Sequence, residues 1–256
     1  CYIIIPMEKF TSRKNNTIVH LRKLGSDASY RRECCEFICD GVKTLNEALA
    51  SGMEIKTVLF KGTPDTELAE RLQHAASYYA PDELFDYASP LKNCPGPLFS
   101  VRMPQTAGEA VHSAIVLENL QDPGNVGTVI RTANAFGISA VVLVGDCADL
   151  YNPKTVRATM GAIFRQRVMS VELCALRDFC AENGLKLYGA ALSDKAVEIT
   201  GLDLKGTAVA VGSEGRGLSE DLLRLCDAEL IIPMRPDSES LNAAVAASVI
   251  MWEMSK

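Results

Sequence analysis

The stretch AIVLENLQDPGNVGTVIRTANAFGISAVVLV, Ala114–Val144, decides the fold. Ala114–Leu117 and Ala140–Val144 are short runs apolar on both faces, as strands covered on both sides are. Between them Asp122-Pro123-Gly124-Asn125 signals a turn, and a helix begins near Val126. Strand, helix and strand in that order make a parallel crossover unit. The alternation continues downstream, where Lys186–Ala191, Thr207–Val211 and Leu230–Pro233 read as further short strands with helices filling the gaps. The predicted class is α/β, a parallel sheet covered by helices. Ligands of such sheets gather beyond the carboxyl ends of the strands. The chemistry is therefore expected just after Leu117, Leu192, Val211 and Ile232.

Upstream, Pro90, Pro95, Gly96, Pro97, Pro104 and Gly108 crowd a stretch with no sustained helical period, which reads as a linker. The expected division is a possible non-native leader at 1–6, a first domain at 7–100, a linker at 101–111 and a second domain at 112–256. Within the first domain, Ser29–Ala50 reads as one helix, with Phe37, Ile38, Val42, Leu45 and Leu49 at helical spacing. Thr57–Lys61 reads as a strand and Glu67–Ala76 as a helix, so this half is a small α/β unit.

With 256 residues, 48% of them hydrophobic and 23% charged, the chain falls outside the disordered, collagenous and disulfide-scaffold classes. Its apolar runs, Tyr2–Ile5 and Val141–Val144 among them, fall far short of the roughly 18 residues that span a membrane. The nine cysteines are odd in number and include no C-x-x-C pair, which favours reduced thiols and a cytoplasmic location. Cys34, Cys35 and Cys39 lack a second ligand cluster, so no metal is expected. The net charge of −6 hides a local excess of cations. Residues 8–32 carry Lys9, Arg13, Lys14, Arg22, Lys23, Arg31 and Arg32 against only Glu8 and Asp27. That edge suits phosphates, or is a solvated helix face.

Three clusters follow strands. In the first, Arg131 stands six residues after Asn125, under two helical turns, so both can look toward one site. An arginine facing backbone amides suits a phosphate or a developing oxyanion; a surface arginine behind a helix cap would look the same in sequence. The second, VGSEGRGL (Val211–Leu218), places three glycines between a strand and a helix, where backbone approaches a ligand closely. Its order is G-x-x-G-x-G, which departs from the dinucleotide fingerprint and weakens a dehydrogenase reading. Ser213 is not the third residue of G-x-S-x-G, and His20, His74 and His112 lie outside the loop clusters, so a serine–histidine triad has no histidine. The third, IIPMRPDSESLNAAVAASVIMWE (Ile231–Glu253), opens a helix of small residues with Ser240 and Asn242. Its bland reading is an N-cap serine with a local asparagine bond.

In this order and spacing the clusters resemble the three motifs of the SpoU (TrmH) family of RNA 2′-O-ribose methyltransferases, members of the SPOUT superfamily. The resemblance covers Asn119–Gly137, Asn152–Phe164, Val211–Leu218 and Ile231–Glu253. Arg31–Val58, containing CEFICDGVKTLNEAL, resembles that family's N-terminal substrate-binding domain of the ribosomal-protein L30e type, while Cys94-Pro95-Gly96-Pro97 departs from the Pro-Gln-Gly pattern expected near the linker. The resemblance implies a deep trefoil knot holding S-adenosylmethionine in a bent pose, with cofactor contacts at Gly212, Ile232 and Leu241 and, beside them, Leu192 and Met234. It places Arg131, Asn125, Glu214, Ser240 and Asn242 around the ribose hydroxyl. A guanidinium with a pKa above about 12 stays protonated, so Arg131 is expected to clamp the target phosphate and stabilise the forming alkoxide. The implied partners are a second copy of the chain and structured RNA, with no membrane. Arg13, Lys14, Arg22, Lys23, Arg31 and Arg32 are the candidate RNA contacts. Large-subunit (23S) ribosomal RNA is the favoured substrate and tRNA the alternative. A catalytically silent ribosome-assembly protein is the alternative function.

Overall fold

The computed structural model describes residues 7–63, 66–72, 75–104, 110–213, 215–235 and 240–256. The chain divides into two units, Cys1–Gln105 with Tyr151–Arg157, and Thr106–Leu150 with Ala158–Lys256.

The first unit runs β1 (Glu8–Lys9), α1 (Asn16–Ser26), α2 (Ala28–Cys34), β2 (Glu36–Asp40), α3 (Val42–Ala50), β3 (Ile55–Lys61), α4 (Thr66–Arg71), β4 (Ala76–Ala80), α5 (Asp82–Ala88) and β5 (Leu98–Arg102). Its sheet has the order β1-β4-β3-β5-β2, with β5 antiparallel to both neighbours. Ile18, Leu21 and Leu24, spaced three apart on α1, are fully buried in a core with Ile38, Leu59 and Phe85. Each contributes about 1.5–3 kcal/mol of burial free energy.

Four expectations are corrected in this unit. The single helix over Ser29–Ala50 is instead α2, β2 and α3. Cys35 at φ 53° and Gly41 at φ 89° turn the chain on either side of β2, which places Phe37 and Ile38 in a strand. Helix α4 stops at Arg71, and Ala76 opens β4 in place of closing a helix. Strand β5 lies inside the proline-rich stretch, and its last residues, Val101 and Arg102, pair with β2 where the linker was expected to begin. Tyr151–Arg157, expected in the second domain, groups with the first unit: the Tyr151 ring lies 4.7 Å from that of Phe37, and Arg157 pairs with the Asp40 carboxylate.

In the second unit, β6 (Ala114–Glu118), α6 (Pro123–Phe136) and β7 (Ala140–Val144) precede α7 (Pro153–Ala158), most of which belongs to the first unit. There follow β8 (Val168–Ser170), α8 (Leu176–Glu182), β9 (Lys186–Ala190), β10 (Val197–Glu198), β11 (Thr207–Val211), α9 (Glu220–Leu225), β12 (Ala228–Ile231) and α10 (Ala243–Met254). The strands form a seven-stranded sheet of order β10-β12-β9-β11-β6-β7-β8, parallel throughout. Every residue of β6, β7 and β11 is buried. Alternate residues feed two cores: Ile115 and Leu117 pack with Val126 and Ile130 of α6 and Ala247 and Ile250 of α10, while Ala114 and Val116 pack with Leu176 of α8 and Leu222 of α9. On that second face burial pushes the thiols of Cys180 and Cys226 up to about 11 and about 12, so both remain uncharged packing groups. Among the described residues, no helix is long and apolar enough to cross a membrane.

Candidate active site

From β6 the sheet grows through β7 and β8 on one side and through β11, β9 and β12 on the other. Such a reversal of direction opens a crevice at the carboxyl ends of the strands. On the β11 side a cavity of about 380 Å³ is lined by Ala190, Ala191 and Leu192 after β9, by Val211, Gly212 and Ser213 after β11, and by Leu230, Ile231 and Ile232 at β12. Arg216, Gly217, Leu218, Met234, Ser240, Leu241, Ala243 and Ala246 complete most of the wall. All five positions expected to contact a cofactor, Gly212, Ile232, Leu241, Leu192 and Met234, line this one space. Leu192 is 63% exposed, an apolar side chain held out at the cavity wall.

The glycine-rich loop is pinched shut. Gly217 N–H donates to the Ser213 carbonyl at 2.8 Å, and a Cβ on Gly212 would lie 2.1 Å from the carbonyl carbon and oxygen of Gly217. Backbone of the loop thus forms the wall directly. An apolar cavity of this size, with strand-end amides and carbonyls at its rim, suits a flat heteroaromatic ligand read through the backbone. Among the described residues Arg216 is the one cation in the lining, and an arginine in a loop carries no periodic signal by which the sequence could have marked it.

The first and third clusters meet beside this cavity. Asp122 caps α6 by accepting from the Asn125 N–H at 2.8 Å, so Asn125 sits in the helix's first turn, past the turn where it was expected. Asn242 caps α10, its oxygen accepting from the N–H groups of Ala244 and Val245 at 3.0 and 3.2 Å, while its Nδ2 donates to Asn125 Oδ1 at 3.2 Å. The cap is therefore Asn242, and Ser240 is free of that duty and lines the cavity. Arg131 lies on α6 with Asn125, exposed and outside the cavity lining. Glu214 lies outside the described residues. Behind the loop before α6, Cys147 Sγ donates to the Leu117 carbonyl at 3.2 Å and accepts from Leu120 N–H at 3.4 Å; burial pushes this thiol up. Among the described residues, no group of three His, Cys, Asp or Glu side chains could hold a metal ion.

In the first unit three of the basic side chains gather over two tyrosine rings. The Arg13 and Arg22 guanidinium groups lie 4.7 and 4.2 Å from the centre of the Tyr87 ring, and Arg22 also donates to the Tyr87 carbonyl at 2.6 Å. Lys23 stands over Tyr30 at 5.1 Å, Lys14 is exposed, and Arg32 donates to Ser29. Arg31 is the correction. It is 4% exposed and donates to the Leu24 carbonyl at 2.7 Å, so it holds α1 to α2 and is not presented to RNA.

Residues 112–252 match the model of the SpoU rRNA Methylase family. The chain is 32% identical over 249 residues to the 23S rRNA (guanosine(2553)-2′-O)-methyltransferase RlmP of Bacillus subtilis, covering 97% of this chain and 99% of that one. It is 25% identical to the 23S rRNA (uridine(2479)-2′-O)-methyltransferase of Streptomyces viridochromogenes, covering 97% of this chain and 92% of the relative. Among solved structures, an AdoMet-bound rRNA methyltransferase from Sinorhizobium meliloti superposes with a TM-score of 0.86 at 26% identity, covering 97% of each chain. The chain belongs to the SpoU rRNA methylase family.

Proposed function

We propose that this chain methylates a ribose 2′-hydroxyl of 23S ribosomal RNA, using S-adenosylmethionine. The observation that carries the reading is the convergence of Leu192, Gly212, Ile232, Met234, Leu241 and Ser240 on one cavity, beside the Asn125–Asn242 bond. When bound there, S-adenosylmethionine supplies an electrophilic methyl group. Gly212, Ile232 and Leu241 hold it through backbone, and Leu192 and Met234 shape the wall. Asn242, fixed at both ends of its amide, holds Asn125 in position. Ser240 orients the ribose, and Arg131 clamps the target phosphate and stabilises the forming alkoxide, the hydroxyl proton passing to water or to an RNA phosphate oxygen. Glu214 joins this group by family resemblance. Alignment of donor and acceptor supplies much of the rate. Tritiated methyl should enter 23S ribosomal RNA, with the label mapping to one ribose; label entering tRNA instead would redirect the substrate, and label in neither would refute the activity.

The remaining expectations belong to the same proposal. The first unit is the RNA-binding domain and the second the catalytic domain, whose C-terminal segment threads the family's trefoil knot, and the protein works in the cytoplasm. Arg13, Lys14, Arg22, Lys23 and Arg32 contact phosphates, which carry affinity without sequence. Arg13→Ala with Arg22→Ala should weaken RNA binding at every salt concentration and flatten the slope of log K against log salt by about 1 to 2. An unchanged slope would remove this edge from the interface. The active form is a homodimer: Val245 and Trp252 leave α10 half-exposed, with Trp252 against Phe136, whereas Ile250 and Met251 are buried within the chain and unavailable to a partner. Sedimentation equilibrium should give twice the chain mass, and Trp252→Glu should give the single mass.

A further inference from the structure

We infer that Glu118 is a positioning residue for the glycine-rich loop, which it ties at the neck; this rests on the reading of the cavity as the S-adenosylmethionine site. Glu118 ends β6 and is 2% exposed. Its two carboxylate oxygens accept from the Ser219 N–H at 2.7 Å and from the Ser219 hydroxyl at 2.6 Å. Ser219 in turn caps α9, its oxygen accepting from Leu222 N–H at 3.1 Å.

The register explains why this carboxylate matters to the cavity. Val211 pairs with Leu117, so the chain leaves β11 at Gly212 next to Glu118. It crosses the cavity wall through Ser213, Arg216 and Gly217, and returns at Ser219 onto the same carboxylate. The loop therefore departs and lands beside one buried side chain. A buried carboxylate without a cation partner among the described residues is stabilised only by donors aimed at it, and charge-assisted bonds of this kind are the strong and directional ones. Glu118 and Ser219 fix where the loop closes, and so where the Gly212 backbone meets the cofactor. Glu118 touches no reacting atom.

The test measures S-adenosylmethionine binding at equilibrium and the split between KM and kcat. Glu118→Ala should raise Kd and KM for S-adenosylmethionine by about 30-fold, and Ser219→Ala by about 5- to 10-fold, with kcat at saturating cofactor changed less. Glu118→Gln keeps an acceptor in place and should recover most of the Glu118→Ala loss. If Glu118→Ala does not fold, Ser219→Ala alone decides. Variants that melt at lower temperature yet bind the cofactor within about twofold of wild type would overturn the inference and leave Glu118 a structural residue. Wild-type chain that takes up no S-adenosylmethionine would instead overturn the cofactor reading itself.

Discussion

Arg131→Lys is expected to slow methyl transfer by about 100-fold or more while S-adenosylmethionine affinity stays within about twofold. Lysine keeps the charge and loses the planar fork, so the substitution separates the two contributions. Arg131 stands exposed on α6 outside the cofactor cavity, which is why binding should be spared. It shares its helix with Asn125, whose side chain is held by the cap of α10, so the guanidinium projects from a fixed support. Single-turnover rates at saturating RNA, set beside equilibrium cofactor binding, give both numbers. A near-normal rate for Arg131→Lys would mean that charge alone suffices and that the fork holds nothing.

Gly212→Ala should abolish measurable cofactor uptake, a loss of more than about 100-fold. The added methyl would lie 2.1 Å from the carbonyl carbon and oxygen of Gly217 and 2.4 Å from the Leu218 nitrogen. These are backbone atoms, so relief requires the loop itself to move, and that loop is the cavity wall. Gly215 is the control: nothing lies within 4 Å of a Cβ built there, so Gly215→Ala should bind as wild type does. Calorimetry of the two variants, with circular dichroism confirming a folded chain, makes the comparison. Equal affinities for Gly212→Ala and wild type would show that the loop yields without consequence for the ligand.

The parallel sheet was legible because β6, β7 and β11 are buried on both faces and so are apolar throughout. Strands β8 and β10 were not, since two or three residues carry no period. In the first unit, β2 was hidden because Phe37 and Ile38 continue a helical spacing by coincidence. The break before it is made by Cys35 in the left-handed region, which composition does not announce. Strand β5 was concealed by the prolines and glycine just ahead of it. In the site, the positions expected to contact a cofactor line one cavity, but the roles of Ser240 and Asn242 as neighbours of a helix start could not be told apart until the cap was seen. Arg31 looked like its basic neighbours, and only burial set it aside. Glu118 stood in the quoted motif with no signal at all, because its partner Ser219 is distant in sequence.

The cavity draws its wall from Ala190 through Ala246, and its central strand β11 pairs with β6, far upstream. Such long-range pairings form late. During synthesis the growing chain consequently has nowhere to seat a nucleoside until the segment carrying Ala246 has emerged, and a prematurely released product would be inert by construction.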